Sequence, residues 1–347
     1  SLPVLLPELD EYTPTADGRP PLARAEGWTQ TTDPDSGAPA LRETNTMPQW
    51  AGSCWYYLRY MDPTNTEVAF DKDVVNYWQN VDLYIGGVEH AVLHLLYSRF
   101  WHKVLYDCGL VPTIEPYQKL FNQGMILAYS YRDEKGKYYH PSEVETRREG
   151  DSERYFVKEE VLKEGQGETE VFSQVEKMSK SKKNTVDPLD IIDQFGADTL
   201  RIYEMFMGPL EQVKPWQTNG CKGIRSFLNK AWRLFVNDDG SNREFKEGKD
   251  DKKVLQALHA AIKESTQGIE ALKFNTPVSK MMEFVNACKN TRPTKDAAEK
   301  FAIILAPYAP HIAEELWDRF GHSEGITFAE WPTWDESVFV EDEITIV

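Results

Sequence analysis

The 347-residue sequence predicts an α/β domain on a parallel sheet, with a small β-rich insertion, followed by an all-α helical bundle. Three observations predict this order. Residues 81–130 have the pattern of strand, glycine turn, amphipathic helix and strand, residues 131–175 are charged and hairpin-like, and apolar residues recur at helical steps from about residue 220 to 320. A chain of this length can form two or three hydrophobic cores.

Residues 1–45 precede the α/β region, and their proline and small polar residues predict an extended loop. VDLYIGG at 81–87 is predicted as a buried strand, the apolar repeat of 89–109 as one long amphipathic helix, and LFNQGMILAYS at 120–130 as a second strand. A strand–helix–strand unit implies parallel pairing and a ligand-binding edge at the carboxyl ends of the strands.

The helical region is predicted from caps and apolar repeats. Asp187, just before a proline, is predicted as the N-cap of a helix that ends at Phe195, and Asp198 as the N-cap of the next helix. A helix over 222–235 has one apolar side and one basic side, and three further repeats follow it until prolines interrupt the last one. Successive amphipathic helices of this kind are typical of a bundle.

Composition places the protein among ordinary globular chains. Hydrophobic residues make up 41%, and no apolar run approaches the roughly twenty residues of a membrane span, so no membrane partner is expected. The sequence starts without a basic signal-peptide region, and its four cysteines lie far apart, as free thiols do in a reducing compartment. We therefore expect a cytoplasmic protein. A formal net charge of −17 argues against binding nucleic acid through bulk charge but permits a local basic surface.

The segment EKMSKSKKN, residues 176–184, concentrates four lysines and two serines in this acidic chain. A flexible basic loop beside a parallel sheet could bind a polyphosphate, because its ammonium groups would meet the negative charge that develops during phosphoryl or nucleotidyl transfer. The same composition also suits a solvated surface loop or a basic targeting tract. On the residues alone these interpretations stay open.

The segment IGGVEHAVLH, residues 85–94, joins a predicted strand end to a predicted helix start. Its glycines allow backbone to approach a ligand, and a helix N-terminus favours anions. His90 and His94 lie one turn apart, but Ala91 stands where a zinc-protease HExxH motif has glutamate, so no metal site is expected. Histidines at the edge of a core are the plainer alternative. Nearby aromatic residues could line an apolar pocket or simply fill the core: Trp55, Tyr56, Tyr57 and Tyr84.

Together these segments resemble a known family. KMSKS at 177–181 matches in full the second signature motif of class I aminoacyl-tRNA synthetases. The surrounding blocks, in order across nearly the whole chain, resemble bacterial-type leucyl-tRNA synthetases: LRETNTM, GSCWYYLRY, YIGGVEHAVLHLLYSRFWHK, FNQGM, DPLDIIDQFGADTLR and LAPYAPHIAEELW. The resemblance implies one half of a Rossmann-like nucleotide-binding catalytic domain, an anticodon-binding-type bundle, and a leucine–tRNA ligase activity that uses ATP with Mg²⁺.

The resemblance also implies roles for particular residues. The lysine loop would close over ATP, and the catalytic ammonium groups that stabilise the pyrophosphate leaving group would be those of Lys177 and Lys180. The ATP-binding residues would be Gly86, Gly87, Glu89, His90, Gln123, Gly124, Met125, Met178, Ser179, Lys180 and Ser181. The leucine-binding residues would be Ser53, Tyr56, Tyr84, His90 and His94. Phosphates of tRNA(Leu) would meet Lys222, Arg225, Lys230 and Arg233. Lys182 and Lys183 are expected to add only surface charge.

The sequence departs from the family pattern in what it lacks. None of its seven histidines lies in an HxGH arrangement, the family's first signature motif, and no long editing insertion is present. The chain begins without methionine and ends on EITIV, an alternating run with no partner strand after it. We therefore expect one part of a larger enzyme, poorly active alone, whose partner is the missing N-terminal half. The insertion has no cysteine, so no structural zinc is expected there.

Two alternatives to this function stay open. One is another class I synthetase for an aliphatic amino acid, such as valyl, isoleucyl or methionyl; the other is a non-catalytic tRNA-binding fragment or subunit of a split synthetase. The predicted domain limits are 1–130 for the second half of the catalytic domain, 131–175 for the insertion, 176–220 for the lysine loop and a stem-contact region, 221–335 for the bundle and 336–347 for the start of a further segment.

Overall fold

The computed structural model describes residues 4–13, 18–45, 50–150, 152–163 and 167–339. The chain forms two compact units, Ser1–Asn122 and Gln123–Val347. The boundary between them falls inside the segment 120–130 that was predicted as one strand. The predicted terminal strand EITIV lies outside the described residues, as does the predicted last segment beyond residue 339.

The first unit consists of short elements around a small apolar core. They are α1 (Glu26–Thr29), β1 (Gln30–Thr32), β2 (Pro39–Leu41), α2 (Tyr56–Met61), α3 (Lys72–Trp78), β3 (Tyr84–Ile85), α4 (His94–Asp107) and β4 (Leu120–Phe121). β1 and β2 form an antiparallel hairpin, whereas β3 pairs in parallel with β4. Buried residues of α2, α3 and the loop segments next to them, including Tyr57, Leu58 and Val75, form the core.

The structure corrects three predictions in this unit. Residues 1–45, which were predicted to form an extended loop, contain α1 and the β1–β2 hairpin. The strand predicted as buried over 81–87 is reduced to the two residues of β3, and Ile85 in it is 48% exposed. The helix predicted from residue 89 begins only at His94, because residues 88–92 form a 3₁₀ turn and Leu93, at φ −116° and ψ −106°, leaves the helical conformation. Gly109 ends this region in the left-handed conformation at φ 67°, as its place after the apolar repeat predicts.

The second unit begins with a mixed sheet of β5 (Ile126–Arg132), β6 (Tyr138–Tyr139), β7 (Val144–Glu149), β8 (Ser152–Val157), β9 (Glu170–Lys177) and β10 (Lys214–Pro215). Its order is β10–β5–β9–β8–β7, with β6 also paired to β5, and among the described strands of this sheet only β10 and β5 pair in parallel. β9 runs antiparallel to β5 and ends with Lys177 opposite Leu127. This register delivers the lysine loop to the edge of the sheet where β5 begins.

Gly124 explains why residues 120–130 do not form one strand. Its backbone N–H donates to the carbonyl oxygen of Leu210 at 2.8 Å. Its α-carbon lies so close to the backbone of Gln212 that an added Cβ would be 2.0 Å from the Gln212 carbonyl oxygen. Only glycine permits this approach of two backbone segments, and the approach separates β4 from β5.

The helices of the second unit are α5 (Pro188–Phe195), α6 (Ala197–Phe206), α7 (Thr218–Phe235), α8 (Lys252–Glu270), α9 (Asn275–Ala287), α10 (Lys295–Leu305) and α11 (Pro310–Arg319). They share one large core in which Ile202, Ile224, Leu258, Met281 and Phe301 are almost completely inaccessible to solvent. The apolar residues predicted for 222–235 lie in this core, and the helix itself begins four residues earlier, at Thr218.

The two predicted N-caps have different outcomes. Asp187 caps α5, accepting a 2.9 Å hydrogen bond from the Leu189 N–H. Asp198 does not cap its own helix, because Gly196, at φ 91°, is the N-cap of α6. Its buried carboxylate instead caps α11: it accepts from the Ile312 N–H at 2.8 Å and from the His311 N–H at 3.3 Å. The prediction was wrong because a side chain on one helix met the free N–H groups of another.

Candidate functional site

In the first unit, several predicted leucine-binding residues surround one histidine. The ring of His94, at the start of α4, lies 5.8 Å from that of Tyr56 in α2 and 5.6 Å from that of Tyr84 in β3, between ring centroids. The His90 ring, in the preceding 3₁₀ turn, is 6.3 Å from His94. Three separate segments of the unit thus bring four of the predicted residues together; we call them, with Tyr117, the His94 cluster.

Tyr117 is a member of this cluster that sequence reasoning missed. Its ring lies 4.9 Å from Tyr84, and its hydroxyl donates to Ser98 Oγ at 2.9 Å and lies 3.4 Å from His94 Nε2. Ser98 is one helical turn after His94, so a polar residue at that spacing was the available signal. Tyr117 itself precedes β4 in a loop, and no local pattern marks it.

Burial favours the uncharged forms of His94, Tyr56 and Tyr84. His94 is 6% exposed, and burial, reinforced by His90, lowers its pKa. Burial raises the pKa of Tyr56 and of Tyr84. The Nδ1 atoms of both histidines are buried without a hydrogen-bonding partner among the described residues. The cluster therefore offers aromatic surface with a few polar atoms available, which suits a small, largely apolar ligand.

The remaining predicted residues of the first unit occupy turns. Ser53 precedes α2, and its hydroxyl donates to the carbonyl oxygen of Trp50 at 3.0 Å. Gly86 and Gly87 follow β3: an added Cβ on Gly86 would lie 2.5 Å from the Tyr84 ring, and one on Gly87 would lie 2.3 Å from the exposed carboxylate of Glu89. The first glycine therefore leaves the space that the Tyr84 ring occupies.

In the second unit, the lysine loop has a defined conformation. Lys177 ends β9, Lys180–Lys182 form a 3₁₀ turn, and Lys183 takes the left-handed conformation at φ 54°. Ser179 accepts a 3.3 Å hydrogen bond at its hydroxyl from the Lys182 N–H, and its hydroxyl lies 3.0 Å from that of Ser181. Asn184, 1% exposed, closes the loop by accepting from the Ser179 N–H at 2.9 Å. The serines thus shape the loop's own backbone.

The four lysines of the loop fall into two classes. Lys177 and Lys180 are exposed and make no ion pair with any residue that the structure describes. Lys182 pairs with Glu176, and Lys183 lies 3.4 Å from a carboxylate oxygen of Glu143. Each of these two lysines therefore has a carboxylate partner, which the sequence alone did not indicate.

The FNQGM segment presents two unsatisfied polar atoms, Oδ1 of Asn122 and Oε1 of Gln123. Both are buried and lack a hydrogen-bonding partner within the described part of the chain. Met125 accepts the Lys214 N–H at 3.2 Å, which joins β5 to β10. The side chain of Met178 packs against the helical core. Gly124 has the close backbone contact described above, so packing already accounts for it.

Comparison with known proteins relates these motifs to known families. The class I tRNA synthetases for isoleucine, leucine, methionine and valine match residues 171–214, and the anticodon-binding domain of tRNA ligases matches residues 251–347. Leucine–tRNA ligase 1 of Rhizobium johnstonii is 54% identical over 340 residues, which is 97% of this chain and 39% of that protein. Almost the whole chain is therefore similar to one part of a leucine–tRNA ligase.

Structural comparison agrees with this similarity. A leucyl-tRNA synthetase of Agrobacterium radiobacter K84, solved in a ternary complex with tRNA and LeuAMS, matches with a TM-score of 0.68 and 30% sequence identity. The match covers 97% of this chain and 38% of that one. The chain therefore has a class I synthetase fold with a sheet and many helices, and it spans about two fifths of the length of these leucine–tRNA ligases.

The basic face predicted on α7 is exposed. Lys222, Arg225, Lys230 and Arg233 line, with Asn229, a surface groove of about 340 Å³. Arg225 donates to the carbonyl oxygen of Phe195 at 3.2 Å, and Arg233 lies 3.8 Å from Asp238. Lys222 and Lys230 make no ion pair with a described residue, so their charges are available to an anion.

Among the described residues, no group of three or more histidine, cysteine, aspartate or glutamate residues is arranged to hold a metal ion. No described helix combines the length and the apolar character needed to cross a membrane.

Proposed function

We propose that this chain is part of a leucine–tRNA ligase, which uses ATP to activate leucine and transfers it to tRNA(Leu). The observation that carries the proposal is the lysine loop, in which a KMSKS sequence at the end of a strand presents two exposed ammonium groups, Lys177 and Lys180, that form no ion pair with a described residue. Relatives that share this sequence over almost the whole chain are leucine–tRNA ligases. We also propose that the first unit belongs to a Rossmann-like nucleotide-binding domain and that α7–α11 form an anticodon-binding-type bundle.

The lysine loop would act on the leaving group. A leucine carboxylate oxygen attacks the α-phosphorus of ATP, the bond from that phosphorus to the bridging oxygen of the β-phosphate breaks, and pyrophosphate leaves. Negative charge grows on the pyrophosphate as this bond breaks, and the Lys177 and Lys180 ammonium groups would stabilise it. Mg²⁺ would accompany the phosphates of ATP and offset part of their charge. A hydroxyl of the terminal adenosine of tRNA then attacks the leucyl carbonyl carbon, and AMP leaves.

The His94 cluster would recognise leucine. Uncharged aromatic rings from Tyr56 and Tyr84 would surround the isobutyl group, and burial favours the neutral form of His94. Such a pocket separates side chains that differ by one methylene by only about 1–3 kcal/mol. Elsewhere in the first unit, Gly86, Gly87, Glu89 and His90 would bind the adenosine part of ATP. In the second unit, the unsatisfied Gln123 Oε1 is an acceptor that suits the amino and hydroxyl donors of adenosine.

The basic face of α7 would contact tRNA. Exposed lysine and arginine side chains on one helix bind phosphates irrespective of sequence, and such contacts position the RNA. Lys222 and Lys230, which have no ion-pair partner among the described residues, are the stronger members of this surface.

The proposal is tested by amino-acid-dependent ATP–pyrophosphate exchange. The measurement uses the enzyme in which this chain is joined to the part that supplies HxGH, with leucine, isoleucine, valine and methionine compared at equal concentrations. We expect leucine to give the highest kcat/KM, and the chain alone to give little exchange. Preference for another amino acid would contradict the leucine assignment, and the absence of exchange with all of them would favour the non-catalytic tRNA-binding alternative.

A further inference from the structure

We infer that Lys182 and Lys183 are positioning residues, which fix the lysine loop to Glu176 and Glu143 so that Lys177 and Lys180 remain free for the triphosphate. The inference rests on the proposed ATP-binding role of the loop and adds to it a division of labour among its lysines. Glu176 and Glu143 both lie outside the KMSKS sequence, one before it in β9 and one in the insertion.

The Glu176–Lys182 pair is built into the sheet. The Glu176 side chain is 15% exposed and the Lys182 side chain is 31% exposed. Both are less exposed than the side chains in the surface ion pairs of β7 and β8. Glu176 also accepts a 2.5 Å hydrogen bond from the hydroxyl of Ser130, a fully buried residue of β5. Because this carboxylate is largely buried and accepts from two donors, its orientation is fixed, and it fixes the Lys182 ammonium group in turn. The same two donors, with Lys182 foremost, lower the pKa of Glu176.

The second pair ties the loop to the insertion. Glu143 is fixed by the 3₁₀ turn Pro141–Glu143, where its carboxylate accepts the His140 N–H at 2.6 Å. That same oxygen, Oε2, lies 3.4 Å from Lys183 Nζ. Lys183 has a left-handed backbone that is unfavourable for a residue with a Cβ, so the conformation must be supported by its surroundings. Asn184 provides support next to it by donating to the Ala128 carbonyl oxygen at 3.4 Å and accepting the Ser179 N–H.

The residues that these contacts tie to the sheet and the insertion, Lys182, Lys183 and Asn184, all follow Lys180. Its own ammonium group is exposed, whereas the residues after it are tied to β5, β9 and the insertion. A flexible lysine would lose conformational freedom on binding a phosphate, and fixing the loop backbone in advance reduces that cost. Lys182 and Lys183 would therefore contribute to ATP binding without touching ATP.

The first test is kinetic and uses the complete enzyme. Glu176→Gln leaves every lysine in place but removes the ion pair, so we expect the KM for ATP in pyrophosphate exchange to rise about threefold while the KM for leucine stays constant. The reversed pair, Glu176→Lys with Lys182→Glu, should recover most of the ATP affinity that Lys182→Glu alone loses. Glu283→Gln, which removes an exposed pair with Lys280 on α9, is the matched control and should change neither KM.

If Lys182 instead bound a phosphate directly, the results would differ. Glu176→Gln would leave the KM for ATP unchanged or lower it, because it frees the ammonium group, while Lys182→Gln and the reversed pair would both raise it. That pattern would overturn the inference.

The second test does not need activity. Trypsin cleaves after lysine, and cleavage requires the loop to detach from the sheet, so its rate reports the population of the detached form when reclosing is fast. On the chain that carries Glu176→Gln, we expect cleavage after Lys180 and Lys182 to be about threefold faster than in the parent, and Glu283→Gln to cause no change. Equal rates in Glu176→Gln and the parent would refute the positioning role. If the complete parent enzyme fails to catalyse exchange, the proposed function fails while this test still decides the inference.

Discussion

The His94 cluster and the lysine loop handle charge in opposite ways. In the cluster, burial favours the uncharged forms of His94, Tyr56 and Tyr84, and the surrounding surface is aromatic. In the loop, charges remain, but Lys182 and Lys183 are paired while Lys177 and Lys180 are exposed. The difference matches two chemical tasks. A neutral, partly dehydrated cluster suits recognition of an apolar side chain, whereas exposed unpaired ammonium groups suit a polyphosphate whose charge grows during reaction.

The largest expected effect comes from removing an unpaired charge. Lys180→Ala in the complete enzyme should lower kcat for adenylate formation about 100-fold, the size typical of removing one group that stabilises developing charge. Leucine binding should remain nearly unchanged, because most of the residues that we propose to bind leucine lie in the His94 cluster. Single-turnover adenylate formation and leucine titration measure the two separately, with Lys280→Ala as a surface control. Equal losses in both would argue that Lys180 acts before the transition state.

A smaller effect is expected from removing the Tyr117 hydroxyl of the His94 cluster. Tyr117→Phe removes the hydroxyl that donates to Ser98 and approaches His94, which leaves those groups less well held. We expect the KM for leucine to rise about fivefold, equivalent to about 1 kcal/mol, while the KM for ATP stays constant. Tyr60→Phe, at a tyrosine of α2 that is 75% exposed, is the matched control. If only the KM for ATP changed, Tyr117 would not be part of the proposed leucine site.

The smallest expected effect is a pH dependence that belongs to the cluster and not to the loop. Since burial lowers the pKa of His94 below 6.5, the unfolded chain binds this proton at a higher pH than the folded chain does. Folding free energy from this group is therefore lost as the pH falls from about 6.5 toward the folded pKa. His94→Gln should flatten the pH dependence of urea unfolding between about pH 7 and 5, by no more than about 1.4 kcal/mol per pH unit. Lys180→Ala, which leaves His94 in place, should leave that slope unchanged. If the His94→Gln variant and the parent have the same slope of unfolding free energy against pH, the protonation of His94 does not change on unfolding in this range.

Local patterns in the sequence were sufficient where neighbouring residues decide the outcome. Asp187 before a proline predicted the N-cap of α5, and apolar spacing predicted the buried face of α7. The spacing of His90 and His94 placed both near the start of α4, although the helix proper begins only at His94. Residue roles inferred from the family resemblance remain predictions until the experiments above are done.

Other outcomes depended on contacts between distant parts of the chain. The segment 120–130 has a continuous strand pattern, but Gly124 meets the backbone of Gln212 and the strand divides. Asp198 has the sequence position of a cap for α6, yet it accepts N–H groups at the start of α11 more than a hundred residues later. Tyr117 joined the His94 cluster through a hydroxyl contact with Ser98, which no periodicity encodes.

The sequence by itself determined the family resemblance, the lysine loop and the helices of the second unit, because apolar periodicity, capping residues and short motifs act within a few positions of each other. Only the tertiary structure decided which lysines of EKMSKSKKN carry unpaired charge. Glu143 lies about forty residues before Lys183, and the orientation of Glu176 depends on Ser130 in another strand. Ion pairs of this kind form between side chains that the sheet brings together, so the four lysines look alike in sequence and differ in the folded chain.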